Sequence, residues 1–415
     1  MFLYKVFIWL YPLIARFISP LNEKAKQWII GQNEVWDQIN QLAPTIKQPI
    51  IWIHCASYGE FEQGLPIIEK LKSEYPHYQI WLTFFSPSGY IHRKNDPAAD
   101  FITYLPFDSL KNASQFLNLV QPKLIVFIKY EFWHYYLQEA KQKNIPTLLV
   151  SAIFRPNQIF FQFYGGFYKK MLSLFTSILV QDKSSYDLIK NTLPNLSVEI
   201  TGDTRFDRVV STASTVTKFE WIQKMNADKI IIAGSTWEED HTILAKACLS
   251  FKKINWIIVP HHVDPSSINQ CKTRFPSAIT LTELQNSHQH FTSPTIIIID
   301  QIGILRNLYQ YAFISYVGGG FGKEGVHNVL EPAAFGKPVI WGENDKKYIE
   351  AVGLRKAVGG FKINSVNELI VLVQALVSNE DKYQEASAHA RKYITQNAGA
   401  TAKTMLFIKD HQLLT

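Results

Sequence analysis

From Pro49 onward, short apolar runs alternate with polar, helix-forming stretches. That alternation predicts strands of a parallel sheet joined by helices. In the first half the apolar runs fall at residues 50–54, 79–85, 123–128, 147–151, 177–181 and 198–201, with a short strand and turn at 104–108. A helix is expected from about residue 61 to 75. In the second half the runs fall at 229–233, 256–260, 295–300, 312–317 and 338–341. Helices are expected over 303–311, 328–335, 366–377 and 381–396, and a last helix after Gly399. The polar stretch 211–228 reads as a linker. The pattern predicts two Rossmann-like halves, and two such halves imply a ligand cleft between them.

The first residues do not fit that alternation. Residues 1–21 are strongly apolar but interrupted by Lys5, Pro12 and Arg16. The uncharged stretch 6–15 is about half of the roughly 20 residues a spanning helix needs. No small-residue cleavage site follows it, as a signal peptide would require. Phe2, Tyr4, Phe7 and Trp9 with basic flanks suit a helix lying in the membrane interface. The alternative is an apolar helix packed on its own domain.

Chemistry-bearing residues cluster where strands end. The strand expected at 312–317 runs into Gly318, Gly319 and Gly320, and then into a helix opening near His327 and Asn328. Glycines allow close backbone approach, and a helix N-terminus suits a phosphate. Glu331 lies about one turn in, where it could reach a ribose hydroxyl. The unit reads as a nucleotide cradle or, more plainly, as a tight connection; without Gly-Lys-Ser/Thr it is not a P-loop. Ser235 and Thr236 follow another strand and precede an acidic helix start, a second loop friendly to anions. In the first half, the strand at 50–54 leads into Ser57-Tyr58-Gly59-Glu60. Glu60 there is a general base or a charge favouring the helix start. If the two halves face a cleft, Glu60 stands across it from the glycine cradle. His261-His262 lack a third ligand and read as loop histidines rather than a metal site.

Composition narrows the field. The chain has 415 residues, 47% of them hydrophobic, so it can bury two cores without disulfides or metal. Its net charge of +7 suits an anionic partner. With no long Lys/Arg cluster and no nucleic-acid motif, nucleic acid ranks last among such partners. Cys55, Cys248 and Cys271 form no C-x-x-C pair, which favours a reducing compartment over a disulfide framework.

Taken together, the motifs resemble the Kdo transferases, which move 3-deoxy-D-manno-octulosonic acid (Kdo) from its CMP conjugate to the lipid A precursor of lipopolysaccharide. The matching segments are HCASYGE at 54–60, SPSG at 86–89, YLPFD at 104–108, PKLIVFIKYEFW at 122–133, TGDTRFD at 201–207, GST at 234–236 and the glycine-rich run at 318–344. Their order and spacing cover about residues 50–400. The resemblance implies an α/β fold of GT-B type, an inverting reaction, and neither metal nor cofactor beyond the CMP-Kdo donor. It implies Glu60 as general base. It implies donor contacts from Arg205, Ser235, Thr236, Gly318, Gly319, Gly320, His327, Asn328 and Glu331. Ser57, Tyr58, Gly59, Ser86, Ser88 and Glu131 are the candidates on the acceptor side. The acceptor would be a lipid A precursor at the cytoplasmic face of the inner membrane. Rival readings are a UDP-sugar transferase or 2-epimerase of the same fold, and a non-catalytic module binding nucleotide or lipid at a membrane.

The expected domain plan is a membrane-association segment at 1–30, an acceptor domain at 31–210, the linker at 211–228, a CMP-sugar domain at 229–395 and a terminal helix at 396–415. Three departures from the family pattern touch acceptor and anion contacts. Lys129 opens Lys129-Tyr130-Glu131-Phe132-Trp133-His134-Tyr135, where members often have Glu-Thr-Glu-Leu-Trp-Pro-Asn. Pro260-His261-His262 replaces Pro-Arg-His. An Arg-rich run after Ser151 is reduced to Arg155.

Overall fold

Seven parallel strands form each of two sheets. The computed structural model describes residues 1–215, 217–223, 229–286 and 295–414. One unit comprises Met1–Arg208 with Ala398–Thr415, the other Val209–Asn397. The first sheet is built from β1 (Ile50–Cys55), β2 (Gln79–Phe84), β3 (Phe101–Tyr104), β4 (Pro122–Ile128), β5 (Thr147–Ala152), β6 (Ser177–Val180) and β7 (Ser197–Ile200), in the order β3-β2-β1-β4-β5-β6-β7. All six positions of β1 are buried, because helices cover both faces of the sheet. Ile53 pairs in register with Leu82 on one side and Val126 on the other. Fully buried Trp52 and Trp81 donate their indole N–H groups to Thr83 (2.8 Å) and Thr103 (3.1 Å), so neither leaves an unpaired donor in the core.

The second sheet consists of β8 (Ile230–Thr236), β9 (Asn255–Pro260), β10 (Ile279–Thr280), β11 (Ile296–Ile298), β12 (Ile314–Val317), β13 (Val339–Trp341) and β14 (Gly360–Lys362), ordered β10-β11-β9-β8-β12-β13-β14. The first order reverses direction once, between β1 and β4; the second reverses between β8 and β12, and again at its far edge, where β11 lies inside β10. Loops at the carboxyl ends of β1, β4, β8 and β12 therefore flank the crevices where such sheets bind ligands.

Several elements differ from the sequence expectation. Strands β10 and β14 are two and three residues long, too short for a hydrophobic period to reveal them. The helix expected over 328–335 is confined to Leu330–Ala334. Pro332 removes a backbone donor inside it, and the Asn328 side chain takes the Leu330 N–H (3.1 Å) in place of a helical carbonyl. So short a helix aligns few peptide dipoles, which weakens the case for a phosphate at its N-terminus. The span 303–311 splits into Leu305–Leu308 and a 3-10 turn, Tyr309–Tyr311. The stretch 211–228 contains the end of the helix Thr204–Ser214 and a short helix, Glu220–Gln223; residues 216 and 224–228 lie outside the described residues.

The N-terminal helix α1 (Phe2–Ile18) precedes α2 (Glu23–Leu42). On its inner face, Tyr4 donates its hydroxyl to buried Asp108 (2.5 Å) and accepts the His134 N–H (3.1 Å). Tyr11 stacks on Phe107 and meets Trp28, and Ala15 is buried, but the outer face of α1 is bare: Trp9 is 68% and Phe17 87% exposed. Among the described residues no helix is long and apolar enough to cross a membrane. The last helix, Ala400–Asp410, belongs to the first unit, where Phe407 and Ile408 share a core with Phe61 and Leu71. Asp207 fixes its start by accepting the N–H groups of Gly399 (2.6 Å) and Thr401 (2.8 Å).

Candidate active site

At the carboxyl end of β1 the chain turns directly into α3 (Tyr58–Glu74), three residues earlier than the pattern implied. Glu60 thus stands in the first helical turn, a position that suits a carboxylate. Ser57 precedes the helix, and its hydroxyl donates to the Glu60 carboxylate rather than capping the backbone. The neighbouring loop, after β4, carries Glu131. Buried His54 faces Glu131 Oε2 through Nε2 (3.0 Å) and Thr83 Oγ1 through Nδ1 (2.8 Å). The Trp133 indole N–H also donates to Glu131 Oε2 (2.7 Å). The Glu131 carboxylate can only accept, so His54 carries its ring proton on Nε2 and takes the Thr83 hydroxyl proton on Nδ1, while Thr83 accepts from Trp52. The result is a chain of pairs from the core to the sheet edge, Trp52–Thr83–His54–Glu131–Trp133. Beneath it the Cys55 thiol is pushed well up, by burial first and then by the charges of Glu60 and Glu131. Both carboxylates therefore act on one point under the edge.

Basic groups gather beside them. The Tyr130 hydroxyl is raised by burial first; Arg155 and Arg205 lower it, and Glu60 and Asp182 raise it. Arg205 is held by Asp203 through Nε (2.9 Å) and a terminal nitrogen (2.7 Å). Asp203 in turn accepts from Gln63 of α3 (2.9 Å), whose amide also reaches Ser151 (3.0 Å). The Thr-Gly-Asp-Thr-Arg segment is thus bolted to the helix that carries Glu60. Tyr58 accepts from Arg93 (2.8 Å), and Arg93 also binds Glu62 (2.8 Å). Gly59 is exposed, and a Cβ there would meet only Ser57 Oγ, at 3.8 Å. Ser86 caps α4 (Pro87–Arg93), with its hydroxyl 3.1 Å from that of Ser88, and its N–H bonds the Ala56 carbonyl (2.7 Å). Ser86 and Ser88 therefore adjoin the Ser57–Glu60 turn.

The second unit presents backbone and rings at its edge. Gly319 has φ +86°, and a Cβ there would lie 2.3 Å from the Gly325 carbonyl oxygen. At Gly320 a Cβ would lie 2.5 Å from the Gly342 nitrogen, so the loops after β12 and β13 cross backbone to backbone. One buried carboxylate, Asp240, joins the loops after β8 and β12. It accepts the N–H groups of Trp237 (2.9 Å) and Gly319 (2.8 Å) and the Tyr316 hydroxyl (2.6 Å). Burial raises its pKa, and these three donors oppose the rise. Ser235 has φ +52°. The Thr236 hydroxyl turns inward, 2.8 Å from His241 Nε2.

Trp237, His261 and His327 stack at this edge. His261 lies 4.6 Å from the ring centre of each neighbour, and the Trp237 N–H donates to His327 Nε2 (2.7 Å). Burial, then His261, lowers His327 to about 4, which keeps that nitrogen an acceptor at neutral pH. His261 is lowered by burial and by His262. Glu331 faces Arg306 at 3.7 Å.

The structure groups Ser57, Glu60, Glu131 and Arg205 at the first switch point, and Ser235, Gly318–320 and His327 at the second. It turns Thr236 away from the surface and pairs Glu331 with arginine. His54, Trp133, Trp237, Asp240 and His261 were not among the sequence candidates. Their partners lie 76 or more residues apart in several cases, as His54–Glu131 and Tyr316–Asp240 show, so only strand pairing brings them together.

The model of the family described as 3-deoxy-D-manno-octulosonic-acid transferase (kdotransferase) matches residues 30–208. A curated 3-deoxy-D-manno-octulosonic acid transferase of Aquifex aeolicus is 30% identical over 352 residues, 81% of this chain and 89% of the relative. The chain belongs to the Kdo transferase family. It is accordingly a glycosyltransferase. A Kdo transferase of Haemophilus influenzae is 26% identical over 419 residues, 96% of each chain. A bifunctional glycosyltransferase/methyltransferase of Fusobacterium nucleatum is 27% identical over 81% of this chain; the chain spans about half (54%) of that relative's length. Among solved structures, UDP-GlcNAc 2-epimerase of Neisseria meningitidis superimposes with a TM-score of 0.61 at 16% identity, covering 87% of this chain and 100% of that one. MurG of Acinetobacter baumannii gives 0.55 at 13% identity over 88% and 100%. At such identities the likeness shows the fold, two parallel α/β domains of the kind found in GT-B glycosyltransferases.

Proposed function

We propose that this Kdo transferase moves Kdo from CMP-Kdo onto a lipid A precursor in lipopolysaccharide synthesis, with inversion at the anomeric carbon and Glu60 as general base. The observation that carries the reading is Glu60 itself. In a chain of this family it stands at the first switch point, in a helical first turn, with the Ser57 hydroxyl on its carboxylate. A lipid hydroxyl attacks the anomeric carbon and forms the new C–O bond. The bond to the CMP phosphate breaks, its electron pair leaves with the phosphate, and Glu60 takes the hydroxyl proton. A positioned base of this kind contributes typically ~10²–10⁴-fold.

The donor is assigned to the second unit. The glycine loop and the Ser235–Thr236 loop let backbone approach the departing phosphate closely, while the Gly318 and Gly319 N–H groups are themselves held by the Gly234 carbonyl and Asp240. His327, Asn328 and Glu331 line the nucleoside side, with Arg205 as a further donor contact. Ser57, Tyr58, Gly59, Ser86, Ser88 and Glu131 are assigned to the acceptor. The bare face of α1, with a net charge of +7 on the chain, supports docking at the cytoplasmic face of the inner membrane. Competition tests the donor: CMP should displace a bound donor analogue at concentrations at least tenfold below those needed for UDP. Equal or stronger displacement by UDP would point to a UDP-sugar enzyme.

A further inference from the structure

A cavity opens beside the glycine loop, at the carboxyl ends of β13 and β14. Its volume is ≈ 570 Å³, within the range of small-molecule sites, roughly 300–1,000 Å³. Three separate segments line it. Lys323 and Glu324 come from the glycine loop, Glu343, Lys346 and Lys347 from the loop after β13, and Lys362 from the end of β14.

The walls are fixed by backbone bonds. Asn344 donates its N–H to the Gly320 carbonyl (2.8 Å) and its side-chain amide to the Gly322 carbonyl (3.0 Å). Val326 N–H returns to the Asn344 carbonyl (3.3 Å), and the Tyr348 hydroxyl donates to the Glu324 carbonyl. A Cβ at Gly325 would lie 2.5 Å from the Tyr348 ring, so that ring lies flush on the loop backbone. Asp345, between Asn344 and Lys346, is turned inward at 1% exposure and paired with Arg355 (3.1 Å), so its charge does not line the cavity. The cavity also adjoins the ring stack, because Glu324 is close enough to His261 to raise that ring's pKa.

We propose that this cavity is the subsite for the acidic sugar of the donor. The inference rests on the CMP-Kdo reading and adds where the sugar goes and what selects it. A sugar acid presents one carboxylate and several hydroxyl groups. The four lysines suit the carboxylate, through charge-assisted hydrogen bonds. Glu324, Glu343 and the Asn344 carbonyl suit the hydroxyl protons. A phosphate, carrying more charge than a carboxylate, would be repelled more strongly by both glutamates, and a neutral sugar would gain nothing from the excess of four lysines over two glutamates. Mixed lining of this kind selects a polyhydroxylated carboxylate over either.

Two measurements on the full chain test this. The first is the KM for CMP-Kdo in Lys346→Ala and Lys362→Ala, beside inhibition by CMP. Loss of one charge-assisted bond should raise KM roughly tenfold, with CMP inhibition unchanged and Lys346→Arg recovering part of the loss. The second is residue-resolved amine acetylation read by mass spectrometry. CMP-Kdo and free Kdo should protect Lys323, Lys346 and Lys362, while CMP and inorganic phosphate should not. Equal protection by CMP or phosphate would make the cavity a nucleotide or general anion site and overturn the assignment. So would an unchanged KM, or absent protection by either Kdo ligand. If the wild-type protein fails to turn over CMP-Kdo, the proposed function falls, and protection by free Kdo alone then decides for or against the sugar subsite.

Discussion

Each sheet has a central reversal of strand order, at β1/β4 and at β8/β12, yet different chemistry stands at the two. The first edge is made of side chains: Glu60 with Ser57, Glu131 with His54 and Trp133, Arg205 with Asp203. The second is made mostly of backbone: glycines that exclude a Cβ, a carboxylate that gathers N–H groups, and stacked rings. On the proposed function, the first moves a proton and the second receives a nucleotide and its phosphate. One architecture thus supports two tasks because the loops, not the strands, carry the difference.

Breaking the first edge should have the largest effect. Glu60→Gln should leave CMP-Kdo binding intact and cut turnover by ~10²–10⁴-fold. Near-normal turnover would remove Glu60 from the mechanism. Breaking the second edge should do the reverse. Gly319→Ala forces a side chain into a left-handed conformation, a cost of roughly 1–2 kcal/mol before the contact with Gly325 is counted. CMP binding by calorimetry should weaken at least tenfold while hydrogen exchange across β1 to β5 stays unchanged. Undiminished CMP affinity would take the glycine loop out of the donor site.

A smaller effect is expected at α1. Deleting residues 1–21 should move the protein from the membrane to the soluble fraction, but it also strips Asp108 of Tyr4. Substituting Trp9 and Phe17 with serine removes exposed apolar surface only, and should weaken binding to anionic vesicles several-fold. Unchanged binding would assign α1 to packing alone.

The smallest effect is in pH dependence, where the units should differ in sign. Burial raises Asp108 from 3.8 to about 6, against opposing bonds from Tyr4 and the backbone of residues 134–136. Its contribution to the first unit is fully present below the unfolded value and is lost as pH rises through about 6. His327 is lowered from 6.5 to about 4, so its contribution to the second unit is present above the unfolded value and lost as pH falls through about 4. Peptide-resolved hydrogen exchange between pH 4 and 7 should show residues 134–136 less protected at the upper end and residues 318–327 less protected at the lower. Asp108→Asn should flatten the first trend. Parallel trends in both peptides would contradict these signs.

Much of this was legible in the chain. The apolar runs that became β1, β4, β8 and β12 also place the Glu60 and glycine loops, because a parallel sheet fixes which end of each strand is followed by a loop at the ligand edge. The limits are physical as well. Two- and three-residue strands such as β10 and β14 show no period, and Pro332 truncated a helix that looked continuous. The Trp237–His261–His327 stack draws on loops after three different strands, so no local pattern announces it. The lysine cavity is assembled in the same way, from loop segments joined by the Gly320–Gly342 crossing and the Asn344 and Tyr348 hydrogen bonds.

The most direct test is CMP release by the detergent-solubilised full chain, supplied with CMP-Kdo with and without a tetra-acylated lipid A precursor. The account predicts release that depends on the lipid, with the lipid product heavier by one or more Kdo units. No release, under conditions where an established Kdo transferase is active, would contradict it.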